Sequence, residues 1–390
     1  MAEEYPPLVL ENRVYYCVEC GKCSSICPMN RGENPISPRK IVKKILEKHD
    51  NEVIEDQWLY SCLICGLCDE VCPSAISFTS LIRELRHRAL ESGNRRLCSQ
   101  SGELMQLGGM MTLPSLRQNR LEWVPKDAKV SVKGDVMYFV GCLPYFDMIF
   151  KELDPKTLDM AKGTLRLLNS AGIEPVISNN ERCCGHDQLW SGDTATFEIL
   201  ARLNVGHFKE LGIKKLLVSC PECYETISKY YPKYVGDLDF EVIYSLDYIT
   251  SLIDGGKIKL RANEMKATYH DPCSLGRHLT MYDPPRNVLN SIENLTFTEM
   301  DQIREAGPCC GVSAWITCDN KSQAMQVSRL KEAKSVGADM MITSCPKCLI
   351  HYTCALKKRP KEEKELDGIG VVDLSALASQ ALEVPQKEGR

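Results

Sequence analysis

The chain has 390 residues, which is enough for two or three domains with hydrophobic cores. Hydrophobic residues make up 44% and charged residues 26%, as in ordinary soluble globular proteins. The formal net charge is −4 and no long basic block occurs, which argues against nucleic acid or an anionic membrane surface as a partner.

The hydropathy of the sequence does not indicate a membrane protein. The segment from Met1 to Leu10 is acidic and contains prolines, unlike a secretory signal. No run of about 18 apolar residues occurs, so we expect no direct membrane insertion. We therefore expect a cytoplasmic protein, with any attachment to the membrane made through a partner.

The cysteine content is unusually high, with 21 cysteines among the 390 residues. Disulfides stabilise mainly small secreted domains, whereas this chain is large and lacks a signal. Grouped cysteines in a reducing compartment indicate bound metal instead.

The first predicted domain, residues 1–98, contains two cysteine runs separated by a helical segment at Ser37–His49. A connector at 99–133 contains paired glycines and two prolines, so we expect irregular structure with one short helix. The last residues, 385–390, are expected to form a frayed tail.

From residue 134 onward, short apolar strands alternate with amphipathic helices, which indicates βαβ units with a largely parallel sheet. The same order occurs twice, at 134–256 and at 264–384, and indicates an internal duplication. The predicted strands are Val136–Val140, Pro175–Ile177, Lys215–Val218 and Val242–Tyr244, then Lys266–Tyr269, Thr296–Glu299, Met340–Thr343 and Gly370–Val372. The predicted helices are Thr157–Ser170, Thr194–Leu211, Glu222–Tyr230 and Leu246–Ile253, then Asn320–Val336 and Cys348–Leu356.

The two N-terminal runs are Cys17-x2-Cys20-x2-Cys23-x3-Cys27-Pro28 and Cys62-x2-Cys65-x2-Cys68-x3-Cys72-Pro73. Three cysteines spaced in this way can surround three corners of a cubane cluster, and the fourth ligates the other cluster. We therefore predict two [4Fe–4S] cubanes, one on Cys17, Cys20, Cys23 and Cys72 and the other on Cys62, Cys65, Cys68 and Cys27. Zinc is the alternative, but two pairs of cysteines already supply its four ligands, and a zinc site would not need the x3-Cys-Pro ending of each run. The spacing of the two runs resembles the helical ferredoxin domain of respiratory iron–sulfur subunits.

A second cysteine system follows the duplication. One copy contains Cys142, Cys183, Cys184, Cys220 and Cys223, and the other contains Cys273, Cys309, Cys310, Cys345 and Cys348. Parts of each set follow predicted strands, so the five thiols of a copy should converge at the carboxyl edge of its sheet. Zinc or a cubane needs only four ligands, and a set of five suggests a cluster of unusual shape.

The pattern Cys…Cys-Cys-Gly…Cys-x-x-Cys, present twice, resembles the CCG-domain family typified by the catalytic subunit of heterodisulfide reductase. With the N-terminal runs included, the chain resembles the fused HdrD type, an HdrC-like part followed by an HdrB-like part. The fold class is thus expected to be α+β multidomain, with a helical two-cluster ferredoxin domain before two duplicated Rossmann-like α/β CCG domains. The resemblance implies a non-cubane [4Fe–4S] cluster on each CCG set, with the two clusters facing each other across a substrate cleft.

The function that this resemblance implies is an iron–sulfur oxidoreductase. Electrons from a partner would pass through the two cubanes to the two non-cubane clusters and reduce a small-molecule disulfide. The partner would be a flavin-containing HdrA-like protein or a membrane cytochrome b. The alternatives are a non-catalytic electron-transfer subunit of a larger anaerobic complex, of sulfur metabolism, aromatic-ring reduction or lactate and glycolate oxidation, and a zinc scaffold.

Several residues outside these sets are weaker candidates. His186 and His270 could supply a proton to a departing thiolate, or could simply support the ligands by hydrogen bonds. Arg277 and His278 could attract an anionic substrate or be solvated loop residues. Cys98, Cys318 and Cys354 fit no pattern and are expected to be buried free thiols.

Overall fold

The computed structural model of the chain describes residues 6–31, 35–94, 100–316, 318–358 and 364–383. The chain divides into two compact units. The first contains Met1–Leu113, Gly185–Ile199 and Gly311–Met325, and the second contains Pro114–Cys184, Leu200–Cys310 and Gln326–Arg390. The domain boundaries expected from the sequence were drawn from the internal duplication, and they remain predictions. Cys98 and the tail at 385–390 lie outside the described residues.

The first unit is helical in the part that the structure describes. Its N-terminal helices are α1 (Pro7–Glu11), α2 (Lys22–Ile26), α3 (Pro38–Leu46), α4 (Asp50–Glu55), α5 (Leu67–Glu70), α6 (Phe78–Glu91) and α7 (Glu103–Met110). Short 3₁₀ turns lie at Val14–Tyr16, Gln57–Ser61 and Gln100–Gly102. The predicted helical segment at 37–49 is α3, which begins at Pro38 because the fixed φ of proline suits the first helical position.

Helix α6 connects the core of the first unit to the second cysteine run. It buries Leu81, Ile82, Leu85 and Ala89, one apolar face at helical spacing. The carboxylate of Asp69, between Cys68 and Cys72, accepts hydrogen bonds from the backbone N–H groups of Phe78 and Thr79 at the start of α6. The cysteine loop is therefore attached to the N-terminus of the helix.

The duplicated part begins with β1 and alternates strands and helices. The elements of the first copy are β1 (Val136–Phe139), α8 (Leu143–Ile149), α9 (Thr157–Ser170), α10 (His186–Ser191), α11 (Thr194–Leu211), β2 (Lys215–Val218), α12 (Pro221–Glu225), a π turn (Thr226–Tyr230), α13 (Tyr231–Val235), β3 (Glu241–Tyr244) and α14 (Ser245–Asp254). Those of the second copy are β4 (Leu260–Tyr269), α15 (Asp283–Asn290), β5 (Ile292–Phe297), α16 (Asn320–Ser335), β6 (Met340–Thr343), α17 (Pro346–Lys358), β7 (Gly370–Asp373) and α18 (Leu374–Gln380), with 3₁₀ turns at Arg304–Ala306 and Lys364–Leu366.

The strands of the second unit form two parallel sheets. Their orders are β1-β2-β3 and β5-β4-β6-β7, and every strand pair is parallel. Together with the helical first unit, they confirm the expected α+β multidomain class. The carboxyl ends of β1, β2, β4 and β6 all lead directly toward cysteines.

Four predicted elements differ clearly from the structure. The strand predicted at Lys266–Tyr269 is β4, which begins six residues earlier, at Leu260. The predicted strand Pro175–Ile177 is reduced to bridges at Val176, because Pro175 has no N–H for a ladder. Strand β5 ends at Phe297, so the prediction Thr296–Glu299 was displaced toward the C-terminus. The predicted helix Glu222–Tyr230 begins as α12 and widens into the π turn before α13.

Helices α9 and α18, one from each copy, pack closely at Gly163. A Cβ atom at Gly163 would lie 2.4 Å from the backbone oxygen of Ser375. We expect Gly163→Ala to destabilise the protein by about 2 kcal/mol, because backbone cannot yield as a flexible side chain does. The apparent Tm, followed by circular dichroism under nitrogen, measures the effect.

Gly206 provides a matched control, because it also lies inside a helix but a Cβ there would meet no heavy atom within 4 Å. Gly206→Ala should raise stability by about 0.5–1 kcal/mol through helix propensity. An equal response of both variants would contradict the close packing at Gly163.

Asp373 caps helix α18 from a buried position. Its Oδ1 accepts hydrogen bonds from the N–H groups of Ser375 (2.8 Å) and Ala376 (3.2 Å). Burial raises the pKa of this carboxyl from 3.8 to about 7. Folding therefore favours the protonated carboxyl between these two values, and stability falls as the pH rises through that window.

We expect Asp373→Asn to remove this pH dependence while it keeps an oxygen for the cap. The wild type should lose about 2 kcal/mol between pH 5.5 and 7 relative to the variant. Apparent Tm values of both proteins at pH 5.5, 7 and 8.5 measure the difference, which should level off above pH 7. Parallel Tm profiles of the two proteins would contradict a titrating Asp373, and Asp373→Ala, which loses the cap, should be less stable at every pH.

Candidate iron–sulfur centres

The two N-terminal cysteine runs have the same local structure. Gly21 and Gly66, each in the middle of a run, adopt φ values of 78° and 77° and precede helices α2 and α5. A Cβ at Gly21 would meet no heavy atom within 4 Å. The left-handed backbone, and not crowding by other protein atoms, therefore favours glycine at this position.

The thiols of the runs group across the two loops. One cavity is lined by Cys17, Cys20, Cys23 and Cys72 and also by Cys68, which the two cavities share. A second cavity is lined by Cys27, Cys62, Cys65 and Cys68. Each cavity thus has three cysteines from one run and the cysteine before proline from the other.

The electrostatic neighbours of the thiols agree with this grouping. Burial raises the pKa of Cys27 to about 12, and the nearby Cys62 and Cys65 contribute to the rise. Burial also raises the pKa of Cys23, with smaller contributions from Cys17 and Cys72. Four thiols around one cavity fit the donor set that a [4Fe–4S] cubane requires.

Arg86 is a buried residue of this region that the sequence analysis did not identify. Its guanidinium donates hydrogen bonds to the backbone oxygens of Cys62 (2.7 Å), Tyr60 (3.3 Å) and Trp190 (2.9 Å). It places a positive charge near the Cys62 thiol and holds the loop before it. The only sequence signal is an arginine on the apolar face of α6.

In the first CCG set, four of the five cysteines are buried and Cys142 is half-buried. The thiol of Cys184 hydrogen-bonds to those of Cys183 and Cys223, and Cys223 also hydrogen-bonds to Cys220. These contacts and burial raise the pKa of Cys223 well above its ordinary value.

Gly141 brings the segment of Cys142 to the other four cysteines. It has a φ of 63°, and a Cβ there would lie 3.3 Å from Sγ of Cys223. Both the backbone conformation and the close approach therefore require glycine before Cys142.

The second CCG set is a continuous chain of thiol contacts. Cys309 hydrogen-bonds to both Cys273 and Cys310, Cys310 to Cys348, and Cys348 to Cys345. All five predicted cysteines of this copy are thus together. Such thiol-rich sets suit iron or another thiophilic metal, which needs deprotonated sulfur.

Matched residues of the two copies support the cysteine loops. The serine before each Cys-x-x-Cys hydrogen-bonds to a buried tyrosine on the first strand of its copy, as Tyr138 to Ser219 (2.9 Å) and Tyr269 to Ser344 (2.6 Å). In each copy, the side-chain amide of a helix residue donates to the backbone oxygen of one cysteine of the adjacent Cys-Cys. Asn204 donates to Cys183 and Gln326 donates to Cys310, both at 3.1 Å. Aligning the two copies would have identified the tyrosine–serine pairs, whereas the amides are offset, since Asn204 lies 19 residues after Gly185 and Gln326 lies 15 residues after Gly311.

The two CCG sets lie side by side within the second unit. Lys347, inside one Cys-x-x-Cys loop, forms a 2.6 Å ion pair with Glu222, inside the other, and their side chains are 4% and 12% exposed. Cys345 lies close enough to Cys220 and Glu222 for both to raise its pKa. Tyr244 also neighbours Cys220 and Cys345.

The weaker candidates are mostly engaged in the structure. His270 is buried and contacts the Tyr352 hydroxyl at 3.2 Å, and burial lowers its pKa to about 3. His186 is buried, with Nδ1 3.1 Å from Asp187. These contacts suit supporting roles, and proton supply by either histidine stays a prediction.

Three further expectations can be compared with the structure. Arg277 is buried and donates to the backbone oxygen of Gly307 (2.6 Å), and Nδ1 of His278 lies 2.9 Å from the carboxylate of Glu225, so neither is a solvated loop residue. Cys318 is exposed, contrary to the expectation of a buried thiol, because it lies in the loop before α16. Cys354 is half-buried. None of the described helices is both long and apolar enough to cross a bilayer.

Comparison with known proteins gives two family matches. The model of a cysteine-rich domain matches residues 136–228 and 267–353. The model of a 4Fe-4S dicluster domain matches residues 13–76. The matched ranges contain all 18 cysteines of the four predicted sets.

Curated relatives extend the match. The chain is 33% identical over 285 residues to the D subunit of dihydromethanophenazine:CoB–CoM heterodisulfide reductase from Methanosarcina acetivorans, covering 70% of this chain and 67% of that protein. It is 27% identical over 351 residues to the B subunit of fumarate reductase (CoM/CoB) from Methanothermobacter marburgensis, covering 90% of this chain and 58% of that protein.

A solved structure supports the fold alone. A hypothetical protein from Helicobacter pylori superposes with a TM-score of 0.52 at 13% identity, over 97% of this chain and 76% of that one. From the cysteine geometry, the two domain matches and the extended similarity, the chain belongs to the CCG-domain iron–sulfur oxidoreductases of the heterodisulfide reductase HdrD type.

Proposed function

We propose that the chain reduces a small-molecule disulfide. The observation that carries the proposal is the pair of five-cysteine sets side by side in one unit, with the Lys347–Glu222 ion pair between their loops. The similarity to a heterodisulfide reductase subunit supports it. The balanced reaction takes one disulfide, two electrons and two protons to two thiols.

The residues proposed to hold iron–sulfur clusters are the eight cysteines of the N-terminal runs and the ten of the CCG sets. Cys17, Cys20, Cys23 and Cys72 would hold one cubane, and Cys62, Cys65, Cys68 and Cys27 the other. The first CCG set would hold one non-cubane cluster and the second set another. Bound clusters of this kind supply single-electron storage and transfer.

The protein itself supplies a shielded setting for this chemistry. The tyrosine–serine pairs fix the Cys-x-x-Cys loops, and Lys347 with Glu222 keeps the two loops at a constant separation. Eight of the ten cysteines in the CCG sets are buried, whereas Cys142 and Cys273 are half-buried. This half-buried pair, one from each copy, is the part of the sets most accessible to a substrate.

A redox partner is part of the proposal. The named relatives are subunits, so we expect this chain to receive electrons from another protein. We propose a flavin-containing HdrA-like subunit or a membrane cytochrome b for that role.

The second candidate function is electron transfer without disulfide cleavage. It is favoured by the similarity to a fumarate reductase (CoM/CoB) subunit, which spans 90% of this chain. In that case the chain would pass electrons to a partner that carries out the reduction.

One experiment separates the two functions. The purified protein is reduced chemically under nitrogen and offered hydroxyethyl disulfide and dithiodipropionate, and released thiols are counted. Two thiols per disulfide, with turnover in the absence of other subunits, would support the reductase. Electron uptake that is never followed by thiol release would support the electron-transfer subunit.

A further inference from the structure

An open cavity of about 700 Å³ in the second unit has a strongly basic lining. Three arginines, Arg117, Arg182 and Arg202, line it, together with His207 and one carboxylate, Glu210. This volume is typical of small-molecule sites. The balance of three guanidinium groups to one carboxylate favours a negatively charged ligand.

Arg182 is the buried member of this lining, with 6% of the residue exposed. Its Nη2 donates to the backbone oxygen of Leu116 at 3.3 Å. Its Nη1 has no hydrogen-bond partner among the residues that the structure describes. A buried guanidinium with an unmade hydrogen bond is costly, and an oxyanion would provide the missing acceptor.

Two carboxylates, the preceding Glu181 and the cavity-lining Glu210, form no ion pair with Arg182 in the described part of the chain. Glu181 is engaged by Arg120 at 3.4 Å and by the backbone N–H groups of Val140 and Gly141, both at 3.1 Å. The side chain of Glu210 is 81% exposed and lies 4.0 Å from His207. The charge of Arg182 is therefore left for a ligand.

Three other residues of the lining are held in place by local contacts. Gln118 donates to the backbone oxygens of Asn179 (3.0 Å) and Glu181 (2.8 Å), and His207 contacts the Ser178 hydroxyl at 2.7 Å. Arg202 lies on α11 and donates to the backbone oxygen of Tyr234 at 3.3 Å. Guanidinium groups in a cavity lining of this kind can donate two parallel hydrogen bonds to the oxygens of a phosphate or carboxylate group.

We propose that this cavity binds an oxyanion, a phosphate or carboxylate group carried by a small molecule. The anion is either a free species or the acidic arm of the disulfide, and the second source rests on the proposed function. Arg182 directly precedes Cys183, so the bound group would lie one residue from a proposed cluster ligand.

Isothermal titration calorimetry of the full chain, purified under nitrogen, with inorganic phosphate and pyrophosphate tests the proposal. Arg117→Gln and Arg202→Gln should each weaken binding by about tenfold or more, since each removes a charge-assisted hydrogen bond. Arg166→Gln is the matched control, because Arg166 is exposed on α9, does not line the cavity and loses the same charge. Arg182 is left intact because of its proximity to Cys183.

Absence of binding, or equal affinities of the three variants, would overturn the proposal. A competing titration identifies the source of the anion. Displacement of pyrophosphate by dithiodipropionate, but not by neutral hydroxyethyl disulfide, would assign the cavity to the acidic arm. Binding without displacement would assign it to a free anion. Phosphate binding in a protein that cleaves no disulfide would leave the cavity assignment in place and remove the reductase function.

Discussion

Cys309→Ser is expected to remove about four of about sixteen iron atoms per chain and to abolish disulfide reduction. Cys309 contacts both Cys273 and Cys310, so its loss divides the chain of thiols in the second CCG set. The eight cysteines of the N-terminal runs belong to the other compact unit, and their signals should persist. Iron analysis and low-temperature electron paramagnetic resonance of the reduced protein measure both effects.

Cys318→Ser is the control for this experiment, because Cys318 is an exposed cysteine outside all four sets. Its iron content and spectra should equal those of the wild type. Simultaneous loss of all signals in Cys309→Ser would contradict independent sites. Cys183→Ser, in the first copy, should give a loss of the same size from a different signal.

The second large effect concerns the crossed grouping of the N-terminal cysteines. Cys27 lines the cavity of Cys62, Cys65 and Cys68, although it belongs to the same sequence run as Cys23. The double variant Cys27→Ser with Cys65→Ser should therefore lose one cluster, about four iron atoms, because both residues serve the same site. Cys27→Ser with Cys20→Ser should lose both cubanes, about eight iron atoms.

Iron counts of the two double variants decide between crossed and sequential grouping. If each run instead held its own cluster, the two results would be exchanged. Cys72→Ser with Cys20→Ser is the symmetrical control and should lose about four iron atoms. Retained far-ultraviolet circular dichroism would show that lost iron reflects lost ligands and not unfolding.

Much of the fold could be predicted because the signals are local. Apolar runs such as Lys215–Val218 and Met340–Thr343 are strands with the predicted bounds. The duplication predicted a parallel sheet in each copy, and both occur. The prediction of a strand at Pro175–Ile177 was wrong. Pro175 has no N–H to donate to a neighbouring strand, and only Val176 pairs, through isolated bridges.

The supporting residues of the candidate site could not be predicted with the same ease. Arg86 lies on the apolar face of α6, but only the folded structure shows that its guanidinium supports the Cys62 loop. The Lys347–Glu222 pair joins residues 125 positions apart, which no local pattern relates. The cysteines were identifiable because their number and spacing are themselves the metal-binding pattern.

The central claim is that these cysteines bind iron and sulfide, and metal analysis of the protein purified under strict exclusion of air tests it most directly. We predict a brown protein with about sixteen iron and about sixteen acid-labile sulfide per chain. A colourless protein that contains zinc and lacks iron would contradict the account.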